Sequence, residues 1–324
     1  MRYSALLVLA VIAVVAASGC TVPGLGTISI PGFGGGSTVS AGSGIKIESF
    51  EPDFQQIYST ESVQLGLKLR NTGTVDGSVE KVELTGIDWT GATNGGSTGT
   101  CGSLKGKMLP AVPDKGITGE TKSCTWTVKP KQDEVPDGLS MTYYPTARVT
   151  YRYSTSIAKS ITVGSSQELR SLQDRGGTLP ADTMSSTSGP ISIGITSKGP
   201  IRVSESGGVE FPIEIKVSNV GGGIVSKSSS SFGSSGSTDW NKMTLTIKLP
   251  DGITASEGCD SSNEIALWRG KDNTVGCKLI AQSPGSAGKV QKIITASADY
   301  FYIVDATTNI VVTGMKKGTT GTWI

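Results

Sequence analysis

Twice along this chain an apolar residue at every second position runs straight into Asn-x-Gly. In the first stretch Val63, Leu65, Leu67 and Leu69 alternate with polar residues before Asn71-Thr72-Gly73. In the second, Phe211, Ile213, Ile215 and Val217 do the same before Asn219-Val220-Gly221. A period of two places every apolar side chain on one face of an extended strand, so each stretch must lie against a core. Asn and Gly accept the backbone angles of a tight turn, so each strand ends there. The surroundings repeat as well. A strand marked by Val79, Val82 and Leu84 follows the first turn. One marked by Met243, Leu245, Ile247 and Leu249 follows the second, after a serine-rich insertion over 228–237. Each copy then carries a cysteine pair and closes on a long extended segment, PTARVTYRYSTSIAKSITV in one and KIITASADYFYIVDATTNIVVTG in the other.

Helix formers are sparse beyond the first twenty residues and glycine is abundant, at 44 of 324. The expected fold is all-β, with many turns. About seven strands over about 120 residues suit an antiparallel immunoglobulin-like sandwich. The expectation is two such sandwiches in tandem, over 45–164 and 190–314, preceded by an N-terminal signal or anchor helix. Residues 165–189 read as a linker, in which SQELRSLQ can form a short helix with Leu169 and Leu172 on one face. Residues 315–324 read as a C-terminal tail.

Residues 1–20 read as an export segment. Arg2 supplies positive charge, and Ala5 to Ala17 is a continuous apolar run, short of the roughly 20 residues of a spanning helix. Ala17, Ser18 and Gly19 lead into Cys20, which resembles a lipobox, although Ala17 stands where leucine is usual. Cys20 is therefore the candidate lipid anchor; a retained helix or ordinary cleavage nearby are the alternatives. Residues 21–44, rich in Gly, Ser and Pro, cannot bury a core and read as a tether of roughly 25–30 Å reach.

Four cysteines remain, Cys101, Cys124, Cys259 and Cys277. An even number in two local pairs suits disulfides in an oxidising compartment. A four-cysteine zinc site is disfavoured because no Cys-x-x-Cys occurs. The chain has no histidine, so Ser-His-Asp and Cys-His catalysis and histidine-based zinc sites are excluded. With a net charge of +2, no field draws the chain to nucleic acid. No catalytic residue, metal or cofactor is expected.

Few residues suggest ligand contact. Tyr151 and Tyr153, near Arg148 and Arg152, could stack on a ligand; a core-edge position is the simpler reading, because strand alternation sends the tyrosines and arginines to opposite faces. Trp268, inside the second cysteine loop, could face a partner or cap the core. Asp251, Glu257, Asp260 and Glu264 could contribute to a calcium site, or be solvated loop charges. No Asn-x-Ser/Thr sequon exists.

The two alternating strands, with Asn71 and Gly73 in one copy and Asn219 and Gly221 in the other, resemble the CARDB-type immunoglobulin-like repeats of archaeal and bacterial surface proteins. The resemblance covers about 35 residues of each copy, and the paired cysteines and long insertions are not part of the pattern. It implies a surface-displayed domain of structural or adhesive type, without catalytic residues. Combined with the export segment, it makes the expected protein membrane-tethered, on the outer face of the cell membrane, with a protein or glycan partner and no nucleic acid. A lipoprotein that captures a glycan or peptide is the alternative; a carboxylate-based glycosidase is the remote one.

Overall fold

The computed structural model describes residues 44–89, 100–131, 134–178, 181–204, 207–229, 239–259 and 262–315. The export segment, Cys20, most of the tether, Asp260 and the tail beyond Met315 lie outside them. The first repeat supplies β1 (Ile45–Pro52), β2 (Gln56–Tyr58), β3 (Val63–Asn71), β4 (Gly77–Thr85), β5 (Gly106–Met108), β6 (Thr121–Val128), β7 (Ser140–Tyr143) and β8 (Thr146–Ser165). Helix α1 (Ser166–Asp174) and β9 (Met184–Ser186) follow. The second repeat supplies β10 (Ile191–Ser197), β11 (Ile201–Val203), β12 (Val209–Asn219), β13 (Ile224–Ser226), β14 (Lys242–Lys248), β15 (Ile253–Glu257), β16 (Ser262–Ala266), β17 (Asp272–Ala281), β18 (Lys289–Thr307) and β19 (Ile310–Thr313).

The chain is all-β, with one short α-helix among the described residues. The alternating stretches become β3 and β12. Val63, Leu65, Leu67 and Leu69 are buried on one face of β3, as are Phe211, Ile213, Ile215 and Val217 on β12. Each is an inner strand of its own antiparallel set, β1-β3-β6 in the first repeat and β10-β12-β17-β15 in the second.

The repeats nevertheless do not form two separate sandwiches. β8 and β18 pair antiparallel along all 19 residues of β18, from Lys289 opposite Gly164 to Thr307 opposite Thr146. That pairing fuses the repeats into one sheet of order β16-β14-β18-β8-β4-β5. Two long strands with matching apolar faces exchange a full ladder of hydrogen bonds, and neither is left as an open edge. Along β8, Ala147, Val149, Tyr151, Tyr153 and Ile157 face inward; along β18, Ile294, Ala296, Ala298, Tyr300 and Tyr302 do so. The β1-β3-β6 and β10-β12-β17-β15 sets share one core cluster with that face. The wide sheet thus shares its core with these two smaller ones, and a third small sheet, β2-β19-β7, is also present among the described residues.

Residues 165–189 do not behave as a linker. Ser165 caps α1 by accepting a hydrogen bond from the Glu168 amide at 3.2 Å. Leu169 is buried, and β9 pairs with β8 at Ile157 to Lys159. The second repeat also reaches into the first at the chain's far end. β19 inserts between β2, in parallel, and β7, antiparallel, burying Ile310 and Val312 completely. The serine-rich insertion, largely outside the described residues, separates β13 from β14, which line the same edge of β18 as β4 lines of β8.

Both cysteine pairs are disulfides. Cys101, in a 3-10 turn over Thr100–Leu104, joins Cys124 of β6; Cys259, just after β15, joins Cys277 of β17. They close loops of 23 and 18 residues, worth about 3 kcal/mol each on the chain-entropy model. Reduction is therefore expected to lower the unfolding free energy by about 3 kcal/mol per bridge. Denaturant titration with and without reductant checks this.

Candidate functional site

The Asn-x-Gly turns are hydrogen-bonding hubs. Asn71, fully buried, donates from Nδ2 to the carbonyls of Val75 (2.9 Å) and Met108 (3.0 Å), and its Oδ1 accepts from the Gly73 amide at 3.1 Å. Asn219 repeats the arrangement. Its Nδ2 donates to Gly223 O (2.9 Å) and Gly270 O (3.1 Å), and its Oδ1 accepts from the Gly221 amide at 3.2 Å. In each repeat one amide thus closes its own turn and also grips a distant loop, the one at Met108 or the one at Gly270. A Cβ on Gly73 would overlap the Tyr153 hydroxyl, so that position needs glycine. Asn71→Ala leaves two carbonyls and an amide unpaired in the interior. The expected cost is about 3 kcal/mol of stability, read from the urea midpoint.

The tyrosines singled out by their arginine neighbours are not surface groups. Tyr151 and Tyr153 are each 1% exposed, and they form a quartet with Tyr300 and Tyr302 of β18. Tyr151 lies opposite Tyr302 and Tyr153 opposite Tyr300, with ring centroids 5.7 and 6.4 Å apart. The cross-strand partner supplied by the other repeat covers what strand alternation alone would leave at a core edge. Three of the four hydroxyls have hydrogen-bonding partners. Tyr153 donates to Ser188 O (3.0 Å), Tyr300 shares a 2.7 Å hydrogen bond with Thr155 Oγ1, and Tyr302 donates to Asn219 Oδ1 (2.6 Å). The nearby arginines do take the outer face, where Arg148 forms a two-pronged pair with Asp305 at 2.9 and 2.7 Å.

Burial pushes the Tyr153 and Tyr302 hydroxyls up to about 12, and raises those of Tyr151 and Tyr300 as well. In the unfolded chain these groups ionise near pH 10. Proton loss therefore favours unfolding once the pH passes about 10, so their contribution is intact below that, and the part due to Tyr153 and Tyr302 fades towards pH 12. A steep fall in the denaturant midpoint over that window is expected, together with the appearance of tyrosinate absorbance.

The carboxylates near the second disulfide do not converge. Glu257 pairs with Lys278 at 2.7 Å, and Glu264 with Lys227 at 2.6 Å and Lys242 at 3.1 Å. Their ammonium partners hold both carboxyls below the usual glutamate range. Among the described residues no group of three or more Cys, Asp or Glu side chains is placed to hold a metal.

What remains is Trp268. It lies in the corner that carries the chain from β16 to β17, and at 71% it is the most exposed large apolar side chain among the described residues. Leu267 beside it is buried, and the Leu267 amide donates to Asn241 O at 2.7 Å. The Trp268 amide donates to Asp272 O, and the Asn219 amide to Lys271 O. Asn219 Nδ2 holds Gly270 O, so the corner is fastened to the turn hub of the second repeat. Arg269 has φ 52°, and its guanidinium lies 5.9 Å from the Trp268 ring. Sequence reasoning reached Trp268 through its place in the cysteine loop. It did not reach the framing by Asn219 and Asn241, which are distant in sequence.

No protein-family model matches the chain, and no curated protein matches it. Solved structures give slight likenesses. The secreted serine protease VesC from Vibrio cholerae matches with a TM-score of 0.19 and 10% identity, over 82% of this chain and 51% of that one. The chain thus spans about half the length of that protease. A partial N-terminal region of the enterococcal surface protein gives a TM-score of 0.13 at 8% identity, over 80% and 88% of the two chains. The collagen adhesin from S. aureus gives 0.11 at 10% identity, over 82% and 92%. At these scores none carries an argument about function.

Proposed function

We propose that this is an exported protein, tethered to the outer face of the cell membrane through Cys20, whose immunoglobulin-like sheets do structural or adhesive work rather than chemistry. The observation that carries the reading is the cysteine pattern. Cys101, Cys124, Cys259 and Cys277 are consumed in two disulfides, and Cys20, directly after the apolar run, is the one left over. Two disulfides suit an oxidising compartment. A single cysteine at the end of an export segment suits lipid attachment. The tether after it would let the folded part stand clear of the bilayer. The histidine-free sequence supports a non-enzymatic role, and the Asn-x-Gly strands support a repeat of the CARDB type.

Intact-mass analysis of protein from membranes tests the reading. The expected mature chain begins at Cys20 and carries added acyl mass. A mature chain that begins elsewhere without lipid, or that sheds no export segment, overturns the anchor. The ligand-capturing alternative is favoured by one observation, the exposed ring of Trp268.

A further inference from the structure

We propose that the Trp268 corner is a binding site for an acidic glycan, a chain of sugars bearing carboxylates, with Trp268 as the stacking plane and Arg269 and Lys271 as the anion contacts. The inference rests on the extracytoplasmic reading above and names the partner that reading leaves open.

Three observations point the same way. The first is rigidity. Among the described residues only two non-glycine residues have left-handed backbone, Asn241 (φ 60°) and Arg269 (φ 52°). Both lie in this corner, and they are joined through the Leu267–Asn241 hydrogen bond. Such a backbone costs energy and persists only where its surroundings enforce it; strain of this kind clusters at binding sites. Here Leu267 is anchored in the core and Asn219 grips Gly270. The tryptophan is therefore presented on a prebuilt frame, which limits the ordering cost of binding.

The second is the company Trp268 keeps. Its neighbours along the corner are Arg269, Gly270, Lys271, Asp272 and Asn273. A protein-binding hot spot sits in an apolar, water-excluding surround. The Trp268 plane is followed along the chain by polar and charged residues, and Trp240, next to Asn241, is also exposed at 42%; indole planes among hydrogen-bonding groups suit sugar rings, which offer C–H faces to the indole and hydroxyls to its rim.

The third is charge. Lys216 is paired with Asp272 at 3.5 Å, and Lys227 and Lys242 are taken by Glu264. Among the described residues Arg269 and Lys271 have no carboxylate partner within ion-pair distance. Arg269, whose guanidinium lies over one face of the indole at 5.9 Å, and Lys271, exposed three residues beyond Trp268 along the corner, complement a carboxylate, whereas a neutral sugar would leave them unused.

The test uses the mature protein with polygalacturonate oligosaccharides as the acidic probe and maltooligosaccharides as the neutral one. Binding is followed by tryptophan fluorescence and calorimetry. The acidic chain is expected to bind with an affinity that falls as salt rises, and the neutral chain to bind weakly or not at all. Trp268→Ala should weaken binding by about tenfold or more, and Trp268→Phe should restore part of it. Arg269→Gln with Lys271→Gln should erase the preference for the acidic chain and its salt dependence. All variants should keep the parent unfolding temperature, since these side chains are exposed. Failure to bind the acidic chain, equal binding by Trp268→Ala, or preference for the neutral chain each overturns the proposal. So does a concentration-dependent dimer abolished by Trp268→Ala, which would assign the corner to a second copy of the chain. Lipid at Cys20 is read by mass alone, so either proposal can fail without the other.

Discussion

Residues 45–189 and 190–315, produced as separate chains, are expected not to fold, and cleavage between them is expected not to separate them. Each half keeps its disulfide and its small sheet but loses the strand that completes the wide one. β8 would be left with β4, β9 and an open edge where all of β18 had been paired. Half of the tyrosine quartet would face water, and β2 and β7 would lose the β19 strand that lies between them. Burying an aromatic or aliphatic side chain contributes roughly 1.5–3 kcal/mol, and several such groups per half lose their partners at once. A domain holds only about 5–15 kcal/mol in total, so the loss exceeds what either half can absorb. The measurement is circular dichroism and calorimetry of each half alone and of the two mixed. Two independently folding halves, each with its own cooperative transition, would sink the idea of a shared sheet. Limited proteolysis of the full chain gives the complementary result: fragments nicked within 165–189 should co-migrate until a denaturant is added.

Removal of the chain from Ile310 onward is the second large effect. β19 belongs to the second repeat by sequence, yet its hydrogen-bonding partners β2 and β7 belong to the first. Ile310 and Val312 are both fully buried. Val312 sits beside Ile57, itself buried, and Ile310 beside Tyr143, whose ring meets Trp89 edge-on at 5.0 Å. Losing two buried aliphatics costs about 3–6 kcal/mol before the lost ladder is counted. The truncated protein is expected to unfold in at least about 3 kcal/mol less denaturant-derived free energy and to be cleaved first near β2 and β7. Val312→Asp should reproduce much of the loss at full length, because it places a carboxylate at a fully buried position. An unchanged midpoint in both variants would mean that β19 adds nothing to the fold.

Much of the architecture could be read from local patterns. Alternation at 63–69 and 211–217 marked two buried-face strands, and both Asn-x-Gly sites became turns with the same hydrogen bonding. The local cysteine spacings are the observed disulfides. SQELRSLQ is helical, starting after a serine whose side chain caps it. Of the candidate ligand contacts, Trp268 is exposed as an outward residue of a cysteine loop can be, but Tyr151 and Tyr153 are covered by Tyr302 and Tyr300. Nothing within ten residues of Tyr151 reports that cover, because it comes from a strand about 150 residues further on.

By itself the sequence determined which residues face inward, where strands stop, which cysteines are close enough to join, and that histidine chemistry is closed to this chain. Those properties depend on near neighbours: the pleat has a period of two, and turns are set by a few adjacent residues. Only the tertiary structure decided that β8 takes β18 as its neighbour, that β19 crosses into the other repeat, and that the Trp268 corner is held by Asn219 and Asn241. A strand's alternation specifies a buried face but not the partner along its edge. Every extended backbone offers the same donors and acceptors, so the choice falls to whichever long-range pairing covers the most apolar surface and leaves the fewest groups unpaired.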